Sequence, residues 1–125
     1  MKNTNGMTLE AIIKAAAKVY RVTPAEMMET DIKGTPVLAR CMAVHVARCC
    51  YGMRPEAVAW KFGVSTLKVN AIAGRAHQLL LDSAQTVRDA ESIEREAIAI
   101  MAKRQQARQA VIQWRAEAAQ TAPRA

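Results

Sequence analysis

The stretch from Pro55 to Gly74, PEAVAWKFGVSTLKVNAIAG, constrains the fold more than any other part of this chain. Its apolar, small and glycine positions match a helix-turn-helix unit, in which two helices cross closely around a short turn. Ala59 is small at the expected crossing, and Gly63 supplies the positive φ that the turn needs. The residues expected to close the core between the helices are Val58, Phe62, Val64, Val69 and Ile72. A plain helical hairpin with a glycine turn is the alternative interpretation.

The remaining chain also predicts helices, because apolar residues recur at helical spacing almost throughout and no strand pattern is present. Thr8 is expected to cap a first helix. A capping box from Thr23 to Glu26 predicts a short second helix. A third helix is predicted from Thr35 to about Tyr51, stopped by Gly52. Beyond the opening unit, Ser65 caps a helix that runs to about Leu81.

A single long helix is predicted from Ser83 to about Gln120, because neither glycine nor proline occurs between Arg75 and Ala122. Asp82-Ser83 is the one plausible break before it. A heptad pattern runs along this helix through Ala90, Ile93, Ala97, Ile100, Arg104, Ala107, Val111, Trp114 and Ala118. The pattern favours self-association or partner docking through Ile93, Ile100, Val111 and Trp114. The alternative is that the helix folds back on its own domain.

Together these elements predict an all-α protein in which a helix-turn-helix domain is followed by a long C-terminal helix. The domain is expected over residues 8–81 and the long helix over residues 82–120. Residues 1–7 and 121–125 are expected to be disordered.

The uneven distribution of charge indicates a nucleic-acid partner. The chain has a net charge of +7, and residues 37–81 carry six Lys and Arg residues against Glu56 alone, a net charge of +5. The segments on either side carry +1 each. Excess positive charge in the segment that holds the helix-turn-helix is typical of a phosphate-binding surface. A solvated basic face is the alternative.

The second helix of such a unit usually reads the major groove of DNA, so its first residues are the candidate base readers. They are Thr66, Leu67, Lys68, Asn70 and Ala71. The amide of Asn70 can both donate to and accept from adenine, and Leu67 or Ala71 can pack against a thymine methyl. The candidate backbone contacts are Arg40, Arg54, Lys61, Ser65, Lys68 and Arg75. Ser65 has helix capping as an equal alternative role.

Residues 9–81 resemble the C-terminal DNA-binding domain of the bacterial replication initiator DnaA. The similarity rests on AKVYRVTPAEMM (17–28), LARCMAV (38–44) and RPEAVAWKFG (54–63). The last of these is similar to the family's Leu-Pro-x-Ile-Gly-x-x-Phe-Gly. The resemblance implies a Trp-repressor-like helical fold with double-stranded DNA as the ligand.

The chain departs from the DnaA pattern where that family reads DNA. After Phe-Gly the family continues Gly-Arg-Asp-His-Thr-Thr-Val, whereas this chain has Val64 to Val69, VSTLKV, one residue shorter and without the Asp-His pair. Leu38 stands where the family has a minor-groove arginine, and Arg40 matches its second arginine. The chain also contains no GxxxxGK[ST] phosphate-binding loop. The scaffold is therefore expected to carry over, but not the family's target sequence or an ATPase activity.

No enzyme, metal or cofactor is expected. Cys41, His45 and Cys49 recur every four residues on the third helix and could offer zinc ligands, but a straight helix usually presents only two ligands at good angles. The three clustered cysteines make a poor disulfide framework, and neither a leader nor a membrane-spanning segment is expected from the sequence pattern. A cytoplasmic, nucleoid-associated protein without a small-molecule substrate is expected.

The sequence thus favours a sequence-specific duplex-binding protein of a bacterium or phage, acting in transcription or replication control as a homodimer or with another protein. Two alternatives remain open. One is a packaging module like the small subunit of phage terminases, which also joins a helix-turn-helix to oligomerising helices. The other is a protein-interaction adaptor that has lost DNA binding.

Overall fold

The computed structural model describes residues 6–29 and 33–121, which form helices and the short turns between them, with no strand among them. The helices are α1 (Leu9–Tyr20), α2 (Pro24–Met28), α3 (Thr35–His45), α4 (Pro55–Phe62), α5 (Thr66–Asp82) and α6 (Ala84–Thr121). A π-helical segment, Val46–Cys50, continues α3. The all-α class is confirmed.

The predicted helix starts are confirmed by side-chain caps. Oγ1 of Thr8 accepts a hydrogen bond from the backbone N–H of Ala11 at 3.1 Å. At α2 the capping box is complete, because Oγ1 of Thr23 accepts from the N–H of Glu26 at 3.1 Å and Oε1 of Glu26 accepts from the N–H of Thr23 at 3.2 Å. Oγ of Ser65 accepts from the N–H of Lys68 at 3.1 Å. Each cap contributes ~1 kcal/mol to helix stability.

The third helix differs from its prediction, because its α-helical part ends at His45 and a wider π-helical turn follows. The backbone N–H of Met53 donates to the carbonyl of Ala47 at 2.9 Å, and Nη1 of Arg48 donates to the carbonyl of Met53 at 2.6 Å. These bonds join the helix end to the turn that leads into α4. A π turn adds a residue to the hydrogen-bonded ring and so shifts the register of the side chains.

The turn around Gly63 forms as predicted, and helices lie on both sides of it. Gly63 has φ 66°, and the N–H of Val64 donates to the carbonyl of Ala59 at 3.0 Å, which closes the end of α4. The predicted core residues between α4 and α5 are in place: Val58, Phe62, Val69 and Ile72 are buried, and Val64 packs against the core.

The predicted break before the long helix is also confirmed. The N–H of Ser83 donates to the carbonyl of Leu79 at 3.0 Å and so ends α5. The buried hydroxyl of Thr86 lies 2.8 Å from the same carbonyl and 2.7 Å from the carbonyl of Ser83, so its single proton can be donated to either, and it packs the first turn of α6 against the last turn of α5.

The first half of α6 packs antiparallel against α1. Oη of Tyr20 donates to Oδ2 of Asp89 at 3.0 Å, and Nζ of Lys18 lies 2.7 Å from Oε1 of Glu96. Nearer the start of α1, Nη2 of Arg104 lies 3.3 Å from Oε1 of Glu10. The fold-back alternative is therefore correct for this half of the helix.

One of the predicted oligomerisation residues consequently belongs to the interior of the domain. Ile93 is wholly buried, so its side chain is not available to a partner, whereas Ile100 is half-buried and packs against the same core. The prediction for Ile93 was wrong because an apolar heptad face is the same whether a neighbouring helix or a second protein covers it, and the role of Ile100 stays a prediction. Val111 and Trp114 remain exposed.

The chain ends that were expected to be disordered lie mostly outside the described residues. Within the described part, Met7 packs against the core and Thr121 is the last residue of α6. None of the helices described is both long and apolar enough to cross a lipid bilayer.

Candidate nucleic-acid interface

A basic cleft of about 550 Å³ lies between the beginning of α3 and one side of α5. Four cationic residues and no acidic residue line it. We use the name basic cleft for the surface formed by Lys33, Arg40, Lys68 and Arg75. Gly34, Val37, Leu38, Cys41 and Leu79 complete the wall. A concave surface of one charge sign concentrates the opposite charge, so the cleft is suited to an anionic ligand.

The local sequence explains how these cations come together. Lys68 and Arg75 are separated by seven residues, which is close to two turns of α5, so they lie on one side of that helix. Arg40 lies in the second turn of α3, which packs against α5. Gly34 caps the start of α3 with φ 73°, a backbone conformation that glycine adopts readily, and Lys33 precedes it in the lining of the cleft.

The electrostatics of the cleft centre on Arg40 and Cys41. Nε of Arg40 is buried and has no hydrogen-bond partner among the described residues. Burial raises the pKa of the Cys41 thiol, and the charges of Arg75, Arg40 and Lys68 oppose that rise. The three positive charges therefore lie within electrostatic range of this thiol.

One face of α5 is exposed next to the cleft. Val69, Ile72 and Ala76 point into the core, whereas the opposite side presents all five candidate base readers to solvent. They are Thr66, Leu67, Lys68, Asn70 and Ala71. Leu67 is 78% exposed, although it is one of the larger apolar side chains. We call this surface the α5 face.

The structure brings together only part of the predicted backbone contacts. Arg40, Lys68 and Arg75 line the cleft. Ser65 has its hydroxyl engaged as the cap of α5, which supports its structural role. Lys61 instead lies within electrostatic range of Glu10 on α1, whose pKa is lowered mainly by Lys14 and also by Arg104 and Lys61. Arg54 is exposed ahead of α4 and does not line the cleft.

Lys33 was not among the predicted contacts. It precedes the segment with the largest charge excess, in a stretch of sequence that shows no helical periodicity. Its position depends on how the chain enters α3 at Gly34, and no local pattern encodes that. The proline at the first turn of α3 was the available signal, because it fixes where the helix begins and places the residues before it at the rim.

The cysteine and histidine residues of α3 do not form a joint site. Cys41 is buried and Cys49 is exposed, and the π-helical segment separates their registers. Among the described residues no group of three or more His, Cys, Asp or Glu side chains is placed to hold a metal ion. His45 is half-buried at the end of α3, and Nδ1 of its ring has no hydrogen-bond partner within the described chain.

Of the two aromatic residues of α4, Phe62 lies in the core as the helix-turn-helix pattern predicts. Trp60 is 84% exposed, so it contributes little to folding and remains free to contact a ligand.

Comparison with known proteins assigns no family to this arrangement. No family model matches the chain, and no curated protein is significantly similar to it.

Proposed function

We propose that this protein binds double-stranded DNA in a sequence-specific manner. The observation that carries the proposal is the basic cleft, whose four cations lie beside the exposed α5 face. Cations that bind phosphate supply affinity, and side chains that reach base edges supply specificity. The two surfaces are adjacent on one helix because Lys68 lines the cleft while Leu67 and Asn70 lie on the exposed face.

In this proposal the first turns of α5 enter the major groove. The Asn70 amide pairs with the N6 and N7 groups of an adenine, which provides ~1–3 kcal/mol of discrimination against other bases. Leu67 and Ala71 pack against thymine methyl groups. Contacts of this kind would explain why an exposed position carries leucine, since Leu67 contributes little to the core.

The basic cleft then binds the phosphate backbone that borders the groove. Arg40 contributes a half-buried guanidinium to the cleft wall, and Lys68 and Arg75 add charge on the α5 side. The positive end of the α5 dipole lies at Ser65 and Thr66 and favours a second phosphate there. Binding of this type releases counterions and therefore weakens steeply with added salt.

The resemblance to the DnaA C-terminal domain extends the proposal to a Trp-repressor-like arrangement of the helices around the turn. Control of replication or transcription is the biological role that this resemblance favours. Leu38 lies in the wall of the cleft at the place of the family's minor-groove arginine. The charge of the cleft comes from Lys33, Lys68 and Arg75 together with Arg40, and we expect a target sequence different from that of DnaA.

Selection from a pool of randomised DNA duplexes at a fixed physiological salt concentration tests the proposal. Sequencing the retained duplexes should give a motif with an A·T pair at the position that Asn70 contacts. The test variant is Arg40→Ala in the cleft, and its matched control is Lys103→Ala on the exposed part of α6. Retention should fall for Arg40→Ala and stay unchanged for Lys103→Ala.

A protein-interaction adaptor is the second candidate, because Trp60 and Leu67 expose large apolar side chains on α4 and α5. Tryptophan is among the residues most often found as an energetic anchor of a protein interface. Failure to retain any duplex in the selection would favour this candidate. Retention without a motif would instead indicate binding through the DNA backbone alone.

A further inference from the structure

The heptad pattern of α6 is covered along only half of its length. Ala90, Ile93 and Ala97 are buried under α1, and Ile100 packs against the same core. The pattern then continues past Arg104, and we call its second half, Ala107, Val111, Trp114 and Ala118, the outer seam. All four of these residues are exposed, and Trp114 is 66% exposed.

The covered half shows what kind of helix fits this pattern. α1 lies antiparallel to α6, places small and aliphatic side chains against it, and ends its contact with the Glu10–Arg104 ion pair at 3.3 Å. Because α1 begins at Leu9, no described helix lies beside the 17 residues that follow Arg104, and only Gly6 and Thr8 share a cavity with Arg108, Gln109 and Ile112, away from Val111 and Trp114. At 1.5 Å per residue this projecting part is about 25 Å long.

The outer seam is apolar along its centre and is bordered by positively charged side chains. A shallow apolar cavity of about 400 Å³ runs along the helix between Arg108 and Arg115, lined by Ala107, Val111 and Ile112. Arg108 and Arg115 are seven residues apart and therefore border the seam on the same side. Glu117 is the one acidic residue between positions 102 and 121, against Lys103, Arg104 and these two arginines.

This charge distribution disfavours a second copy of the chain as the partner. In an antiparallel pair that brings Val111 against the Trp114 of the other copy, Arg108 lies beside the other copy's Arg115. In a parallel pair the two Arg104 residues face each other in the seam, and Lys103 lies beside the other copy's Arg108. Like charges at these flanking positions destabilise a helix pair in either orientation.

We propose that the outer seam binds an acidic amphipathic helix of another protein, which lies end to end with α1 along α6. Its apolar side chains cover Val111 and Trp114, and its carboxylates face Arg108 and Arg115 as Glu10 faces Arg104. The proposal goes beyond DNA binding and does not rest on it, because no residue of the outer seam lines the basic cleft.

Two synthetic helical peptides of 21 residues test the charge requirement. Both carry leucine at heptad positions a and d, and one carries glutamate and the other lysine at the flanking e and g positions. Each is labelled and titrated with the full chain while fluorescence anisotropy is recorded. We expect the glutamate peptide to bind at least ten-fold more tightly than the lysine peptide. In a Trp60→Phe background its binding should shift the emission of Trp114 to shorter wavelength.

Charge reversal provides the matched variants. The double variant Arg108→Glu/Arg115→Glu should exchange the preference and favour the lysine peptide. The double variant Gln105→Glu/Gln109→Glu places the same charges on the opposite side of α6 and should leave the preference unchanged. None of these side chains is buried in the domain, and circular dichroism of each variant checks that the helices are retained.

Equal affinity for the two peptides, or no binding of either, would overturn the proposal. Sedimentation equilibrium of the chain alone tests whether a second copy of the chain covers the outer seam. A dimer that dissociates on the Trp114→Ala substitution would show that a second copy covers the seam despite its arginines. Because DNA selection is read separately, failure of the peptide experiment leaves the DNA-binding proposal unaffected.

Discussion

Arg40 is the single residue whose surroundings favour a phosphate most directly, because it is half-buried in a cleft that holds three further cations. We expect Arg40→Ala to weaken binding to all DNA sequences alike and to reduce the slope of log K against log salt by about 1. Arg75→Ala should act in the same way. Lys61→Ala is the informative control, since Lys61 lies towards Glu10 rather than in the cleft. A larger change in slope for Lys61→Ala than for Arg40→Ala would place the backbone contact on α4.

Asn70 should affect specificity rather than overall affinity. Its side chain is exposed on the α5 face and carries no charge. We expect Asn70→Ala to lose ~1–3 kcal/mol of binding free energy on the selected site and almost none on unrelated duplexes. Competition titrations with both duplexes measure the difference. Gln78→Ala, which changes an exposed amide two turns further along α5, serves as the control; an equal loss on both duplexes would make Asn70 a backbone contact.

His45 should make the stability of the fold depend on pH. Burial lowers the pKa of this histidine, the nearby His77 lowers it further, and Glu94 opposes the shift. A lowered pKa means that the fold favours the neutral ring, so this contribution to stability is fully present above the ordinary histidine pKa of about 6.5 and is lost as the pH falls below it. Urea unfolding between pH 5 and 8 should show that His45→Gln has a shallower acid dependence than the parent chain. A parallel dependence would assign the loss to other groups.

At the scale of whole elements, the turn between α4 and α5 can be tested with two glycines that should respond in opposite directions. Gly63 has φ 66°, and an added Cβ would meet no atom within 4 Å, so Gly63→Ala measures backbone strain alone. We expect it to lower the free energy of unfolding by ~1–2 kcal/mol. Gly74 lies inside α5 without a positive φ and with equally open space, so Gly74→Ala should raise it by ~0.5–1 kcal/mol. A change of the same sign in both variants would contradict this explanation of the turn.

The elements also show which features a sequence can predict. The caps at Thr8, Thr23 and Ser65 were predictable because each depends on residues within one helical turn. The π-helical end of α3 was not, because Arg48 closes it through a contact with the following turn. Lys68 and Arg75 share a side of α5 by spacing alone. Their meeting with Arg40 and Lys33 requires the packing of α3 against α5, which no local pattern contains.

On the scale of the whole molecule, α6 joins two regions with different physical roles. The first half completes the core of the domain, and the second half projects from it. The heptad pattern is continuous across both regions, so sequence alone could not decide between folding back and partner binding. The structure assigns folding back to the first half. The kind of partner that covers the second half then depends on the positive charges of Arg108 and Arg115, which border the outer seam.

Removal of residues 107–125 tests this division. Every described residue in that range is exposed, so the shortened chain should unfold within ~0.5 kcal/mol of the full chain, as expected for surface changes away from buried contacts. Ile93→Ala in the full chain should instead cost ~2–5 kcal/mol, because it leaves a cavity between α6 and α1. Urea unfolding followed by circular dichroism measures both changes. The DNA affinity of the shortened chain should equal that of the full chain at equal salt, because the basic cleft and the α5 face lie wholly within residues 33–82. A shortened chain that unfolds as readily as the Ile93→Ala variant would show that the projecting half of α6 supports the domain.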